Sequence, residues 1–153
     1  MNKSVFSYVT YIRTEPEALW AALVTPEFMK KYWFGMHCES DWQVGSPWKL
    51  VFADGRVADQ GEIVEVRAPA RLVIRWRNEW KEEAKAEGYS LCTFEIEPAG
   101  DPGRPVSKLS VTHSMDRPES TLIQAVGGGW PKILSNLKSL LETGSLVLDN
   151  PRG

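Results

Sequence analysis

At 153 residues with a formal net charge of −2, the chain has the size of one domain with a real core and lacks the basic excess that nucleic acid demands. No apolar run reaches the ~20 residues of a membrane span, and the opening MNKSVFSYVTYIRT alternates as a strand rather than reading as a signal peptide. The two cysteines, Cys38 and Cys92, come without CxxC or HxxxH spacing, so the expectation is two reduced thiols, no metal and a cytoplasmic setting.

In chain order, Ser4 to Arg13 alternates as a first strand. Thr14-Glu15-Pro16-Glu17 reads as a capping box, with Thr14 at the N-cap and Glu17 reaching back. It leads a short helix whose apolar face is Leu19, Trp20, Leu23 and Val24. Thr25-Pro26-Glu27 opens a second helix by the same device. Phe28, Met29, Tyr32 and Trp33 follow, and Gly35 closes it.

From His37 to Met115 the pattern is strands and turns. His37 to Asp41 is a strand and Val44-Gly45-Ser46 a turn. Pro47 to Ala53 sets Trp48, Leu50 and Phe52 on one face, with Lys49 and Val51 on the other. Asp54-Gly55 is a hairpin turn, and Val57 to Arg67 returns with a bulge expected at Gly61. After Ala68-Pro69-Ala70, Leu72, Ile74 and Trp76 alternate with Val73, Arg75 and Arg77. The charged segment Asn78 to Gly88 reads as an exposed loop or a single helical turn, a solvated face or a lid. Ser90, Cys92, Phe94 and Ile96 face inward on the next strand, and Leu109, Val111, His113 and Met115 on the last.

The stretch Pro118 to Gly144 carries the long helix, with Glu119 at its positive N-terminal end and Gly144 as the left-handed residue just past its last turn. One stripe of the helix runs through Leu122, Ile123, Val126, Trp130, Ile133, Leu134, Leu137, Leu140 and Leu141. Lys132, Ser135, Asn136, Lys138 and Glu142 fall on its wet side. Gly127 to Gly129 and Pro131 interrupt it, yet the stripe keeps its phase, so one kinked helix is expected. Gly127, on the inward stripe, either lets the backbone approach the sheet or leaves room beneath the helix. The sum is an α+β fold: a curved antiparallel sheet of about six to seven strands around a long C-terminal helix, with two short helices after the first strand. Residues 1–153 form one domain, and residues 145–153 a short irregular tail.

Alternation points His113 inward, where it could serve as acid, base or ligand anchor, or as a hydrogen-bonded core residue. No Ser-His-Asp order accompanies Ser90 and Tyr89, and parity puts Glu62 and Glu65 on opposite faces of their strand, so they are not a carboxylate pair. Trp33, Trp48, Trp76 and Trp130 belong to inward faces, filling core or lining a pocket, whereas Trp42 and Trp80 fall in loops, at the surface or an interface.

The phrases TPEFMKKYWFG, ESDWQVGSPWKL, DGRVADQGEIVEVRAPARLVIRW and GGGWPKILSNLKSLLETG resemble the family of activator-of-heat-shock-protein-90-ATPase homologues, within the START-like helix-grip group of polyketide cyclases and lipid-transfer domains. The resemblance covers nearly the whole chain. It implies a helix-grip fold with a deep cavity between long helix and sheet, suited to an apolar ligand, but no single activity. The eukaryotic activators carry a separate N-terminal domain, and this chain has the length of a helix-grip domain alone.

The leading expectation is a cytoplasmic binder of a small apolar or aromatic molecule, with no cofactor. Its cavity is expected from Trp33, Trp48, Leu50, Phe52, Ile74 and Trp76, from Phe94, Val111, His113 and Met115, and from Ile123, Gly127, Trp130 and Leu134. The alternatives are an enzyme of cyclase, aromatase or hydrolase type using His113, and a chaperone-associated protein. Exposed strand edges or Trp42 leave room for a homodimer.

Overall fold

The computed structural model describes residues 2–148. Its elements run β1 (Ser4–Ile12), α1 (Pro16–Val24), α2 (Pro26–Tyr32), β2 (His37–Ser40), β3 (Pro47–Val51), β4 (Val57–Arg67), β5 (Arg71–Asn78), α3 (Glu82–Ala86), β6 (Ser90–Pro98), β7 (Ser107–Met115) and α4 (Thr121–Thr143). The strands form one antiparallel sheet in the order β1-β7-β6-β5-β4-β3-β2. Consecutive hairpins make the meander from β2 to β7, and β1 closes onto β7.

The period-two patterns of the later strands appear as burial, except that Val73, expected on the outer side of β5, is buried too. Leu72, Ile74 and Trp76 of β5, Ser90, Cys92, Phe94 and Ile96 of β6, and Leu109, Val111, His113 and Met115 of β7 are all buried. Register sets Trp76 beside Ser90, Cys92 beside His113 and Phe94 beside Val111, so these side chains share one dry face. α4 covers that face, lying mainly against β1 and also touching β7, α2 and α3. Its buried stripe carries Leu122, Ile123, Trp130, Ile133, Leu134 and Leu137. Truncating any one of the fully buried leucines to alanine costs about 2–5 kcal/mol, so this stripe fixes the helix to the sheet.

Several local expectations are corrected. α1 has Glu15, not Thr14, at its N-cap, because Pro16, with its fixed φ, takes the first helical position. Neither α1 nor α2 has a side-chain cap bond. α4 begins at Thr121 rather than Pro118: the Ser120 hydroxyl accepts from the Ile123 amide, and Glu119 lies outside with φ 52°. As expected, the glycines and Pro131 do not split it: α4 is one continuous helix, and Gly144 caps its end with φ 81°.

The bulge in β4 falls between Ile63 and Glu65, not at Gly61. Gly61 stays in the ladder opposite Trp76, where a Cβ would run into the Arg75 carbonyl. Because of that bulge, Glu62 and Glu65 share the wet face. Glu62 pairs with Arg75, and Glu65 with Arg67 and Arg71. Asn136, assigned to the wet side of the helix, is fully buried. Its side chain accepts from the Val147 and Leu148 amides and donates to the Leu148 carbonyl, pinning the segment after the helix. Of the expected tail, residues 149–153 lie outside the described residues. Trp42, expected at the surface or an interface, is partly buried and packs against the core.

Candidate functional site

Gly127 brings α4 close to β1. A Cβ there would sit 3.2 Å from Cδ1 of Phe6 on β1, so the backbone rests on the Phe6 ring. Three residues later Trp130 drops into the middle of the grip. Its ring lies 5.4 Å from Trp33, 5.6 Å from Phe94 and 5.9 Å from Trp76, which in turn lies 4.4 Å from Trp48. These offset and edge-on indoles leave about 10 Å³ at the centre, room for one water at most. The deep central cavity is therefore closed.

His113 belongs to that plug. The Trp130 indole, which can only donate, gives its N–H to His113 Nδ1 at 3.2 Å. The proton must then sit on Nε2, which donates to Ser90 Oγ at 2.8 Å, and the Ser90 hydroxyl donates to the Trp76 carbonyl at 3.1 Å. Burial pushes the imidazole down to about 3, so it stays neutral with both nitrogens engaged. The ring cross-braces α4 to β5 and β6. It has no lone pair left to act as a base.

The open space lies to one side. A cleft of about 210 Å³ separates α4 from α3 and the strand ends beneath it. Trp80, Lys81 and Ala84 form one wall, and Thr121, Leu122, Ala125, Val126, Gly129 and Ile133 the other. Trp33, Leu50, Asp59, Trp76, Asn78 and Trp130 form the floor. Glu87 latches the walls together: its carboxylate accepts from Ser120 Oγ at 2.6 Å, the Thr121 amide at 2.7 Å and the Leu122 amide at 3.3 Å.

The charged group in the floor is Asp59, 5 % exposed. Its Oδ2 accepts from Trp76 Nε1 at 2.5 Å and from Asn78 Nδ2 at 3.3 Å. Asn78 Oδ1 accepts in turn from the Trp80 and Lys81 amides, tying the carboxylate to the wall that leads into α3. Burial raises the Asp59 carboxyl to about 6, and the nearby Glu79 charge pushes the same way.

Of the sequence-nominated residues, Trp33, Leu50, Trp76 and Trp130 face the cleft. Trp48, Ile74, Phe94 and Leu134 surround the closed centre. Val111 and His113 are buried beneath it, and Met115 and Ile123 join Leu122 and Ala84 in a smaller cluster. Gly127 lies against Phe6, and Phe52, past the register shift that ends β3, meets Trp80 edge-on. The sequence reading passed over Asp59, Asn78 and Gly129. Alternation counted back from Ile63 through Gly61 lands on Asp59, opposite Leu50, and was the signal available. Among the described residues no group of three His, Cys, Asp or Glu could hold a metal ion, and no helix is long and apolar enough to cross a membrane.

Residues 13–142 match the family model described as Activator of Hsp90 ATPase homolog 1-like protein. No protein with a curated description matches the sequence. Among solved structures, the chain is similar to PFC0360w, an HSP90 activator from Plasmodium falciparum, with 22% identity over 90% of this chain and 95% of that one and a TM-score of 0.71. It is similar to Aha1 from Colwellia psychrerythraea, solved as a dimer in solution, with 19% identity, 92% and 98% coverage and a TM-score of 0.72. It is also similar to CalU16 from Micromonospora echinospora, with 17% identity, 92% and 77% coverage and a TM-score of 0.70. At these identities the likeness is one of fold.

Proposed function

We propose that this chain, which belongs to the Activator of Hsp90 ATPase homolog 1-like family, is a binding domain for a compact apolar or aromatic molecule held in the cleft between α3 and α4. The observation that carries the reading is the cleft itself: about 210 Å³ walled by indoles and aliphatic side chains, with a few polar groups converging on its floor. Chemistry on a bound molecule finds no support in His113, whose nitrogens are both committed. The buried free thiols Cys38 and Cys92 support a reducing compartment, the cytoplasm.

The test is a screen of small lipophilic compounds by tryptophan fluorescence and thermal unfolding. A ligand at 100 times its Kd adds about 2.7 kcal/mol, several degrees of Tm for a domain this size. Gly129→Leu is the control. A Cβ there meets only Ile133 Cδ1 at 4.0 Å, so the added side chain enters the cleft. Binding abolished by Gly129→Leu supports the reading. A silent wild type, or a variant that binds equally well, refutes it.

A second reading, a chaperone partner, draws on the outer face of β1. Val5, Val9 and Tyr11 are each more than half exposed there, and Leu91 lies across Ser114 from Val5. It expects stimulation of purified Hsp90 ATPase that Val9→Glu removes. Unchanged turnover on adding the wild-type domain excludes it, and sedimentation of the same sample shows whether this face pairs with a second copy instead.

A further inference from the structure

We infer that the cleft selects an organic ammonium, a compact apolar body of one or two rings whose protonated nitrogen binds Asp59 Oδ1. This rests on the reading of the cleft as a ligand site. Both donors that reach Asp59, Trp76 Nε1 and Asn78 Nδ2, go to Oδ2. Among the described residues no donor reaches Oδ1, although the residue is only 5 % exposed and forms part of the cleft floor. A buried carboxylate ordinarily has a cation or a full set of donors from the protein, and this one has neither, its second oxygen keeping access to the open cleft.

The charges around Asp59 do not supply the cation. Glu79 repels it and is itself engaged by Arg77 and Lys85, and the Cys38 thiol nearby is pushed upward by burial and stays protonated. Lys81 lines the same cleft, but its ammonium lies over the Trp80 ring, 4.8 Å from the centroid, and makes no ion pair with Asp59. The remaining surroundings suit a cation of low hydration. Trp33, Trp76, Trp80 and Trp130 all face the cleft, and indole is the ring that attracts an ammonium most strongly. A carboxylate among indoles recognises an amine. It rejects an anion of the same shape.

The probes are 2-phenylethylamine, 2-phenylethanol and 3-phenylpropionate, three similar bodies with a cationic, a neutral and an anionic end. They are titrated into the whole protein by heteronuclear NMR and calorimetry near pH 7.5. The expected order is amine, alcohol, acid, with the amine favoured over the alcohol by at least ~10-fold, the ratio for a charge-assisted bond replacing a neutral one. The preference should shrink toward parity in Asp59→Asn. In the wild type it should also shrink near pH 5, where Asp59 carries a proton and the amine stays charged. The pH arm decides the matter if the variant fails to fold. Equal binding of amine and alcohol, or a preference that survives both the variant and the acid, overturns the inference and leaves the cleft a ligand site. If none of the three shifts the amide resonances of Ala125, Gly129 and Asn78, both readings fall.

Discussion

Replacing Asp59 with asparagine should separate two buried titrations whose pH slopes cancel in the native chain. Asp59 ionises near 6 when folded, against 3.8 for an ordinary aspartate, so the fold disfavours its charged form. Above about pH 6 the fold bears the whole cost, about 3 kcal/mol at 1.36 kcal/mol per pH unit, and is relieved of it as pH falls to about 4. His113 runs the other way: burial holds it near 3 against 6.5, so the fold disfavours its protonated form. Its neutral state is free of penalty above 6.5, and stability drops by about 1.4 kcal/mol per pH unit as pH falls toward 3. Between about pH 6 and pH 4 these slopes oppose and nearly cancel. The substituted asparagine would keep a carbonyl oxygen for the Trp76 N–H and remove only the titration. Urea unfolding followed by tryptophan fluorescence at steps from about pH 7 to pH 4 should show the difference, wild type minus Asp59→Asn, rising by ~3 kcal/mol as pH falls. Carboxylates held low by arginine, such as Glu79 and Glu65, titrate in both proteins and drop out of the difference. A difference flat across the range refutes the placement of Asp59 in a dry floor.

The three glycines of α4 provide a ruler for its seat on the sheet. Gly128 has nothing within 4 Å of an added Cβ, so Gly128→Ala should stabilise by about 1 kcal/mol, a rise of ~2–4 °C in Tm. Gly127→Ala must press on Phe6 at 3.2 Å and should gain less. Calorimetry showing the reverse ranking would place the helix elsewhere. Glu87→Gln weakens three bonds at the start of α4 and should cost roughly 1–3 kcal/mol, with faster hydrogen exchange at residues 121–123 while the core amides of β6 keep their rank. Asn136→Ala should cost a similar ~1–3 kcal/mol and deprotect the Val147 and Leu148 amides, and intact protection there would mean the segment holds itself.

What the sequence made legible followed from one-sided burial. β6 and β7 each have a dry face and a wet one, and β5 does apart from the buried Val73, so period-two counting identified their inward residues. α4 was legible for the same reason at period 3.6. Misplacements came where a long-range partner overrides a side chain's ordinary preference. Asn136 lies beside Ile133 and Leu140 on the wheel, but its amide suggests water until the amides of residues 147 and 148 are known to meet it. Nothing in the phrase Ile63-Val64-Glu65 marks a bulge, and the parity of Glu62 against Glu65 failed on that one residue. Asp59 was readable by alternation, yet a carboxylate in a strand suggests the wet face. The family resemblance named the fold and implied a deep cavity at its centre, yet whether that centre is hollow depends on side chains the resemblance does not fix, and here it is closed.

That question is decided by residue sizes at a few consecutive positions of α4. Sheet and helix pack with side chains of both filling the gap between them, so the free volume depends on which side chains point into it. Gly127 lets the helix settle on Phe6 at the β1 side. Trp130, the largest residue available, fills the middle and is bolted by its N–H to His113. Gly129, about 200° around the helix from Gly127, withholds a side chain from the opposite side, which is where the cleft opens. A relative with the same sheet and helix but a leucine at the place of Trp130 would have its space in the centre, against β6 and β7, and would present different polar groups to a ligand. Membership of the fold therefore predicts a gap between helix and sheet, while the walls of that gap, and the shape it offers, follow from indole and glycine placement. In this chain they direct the opening toward α3 and set Asp59 at its floor.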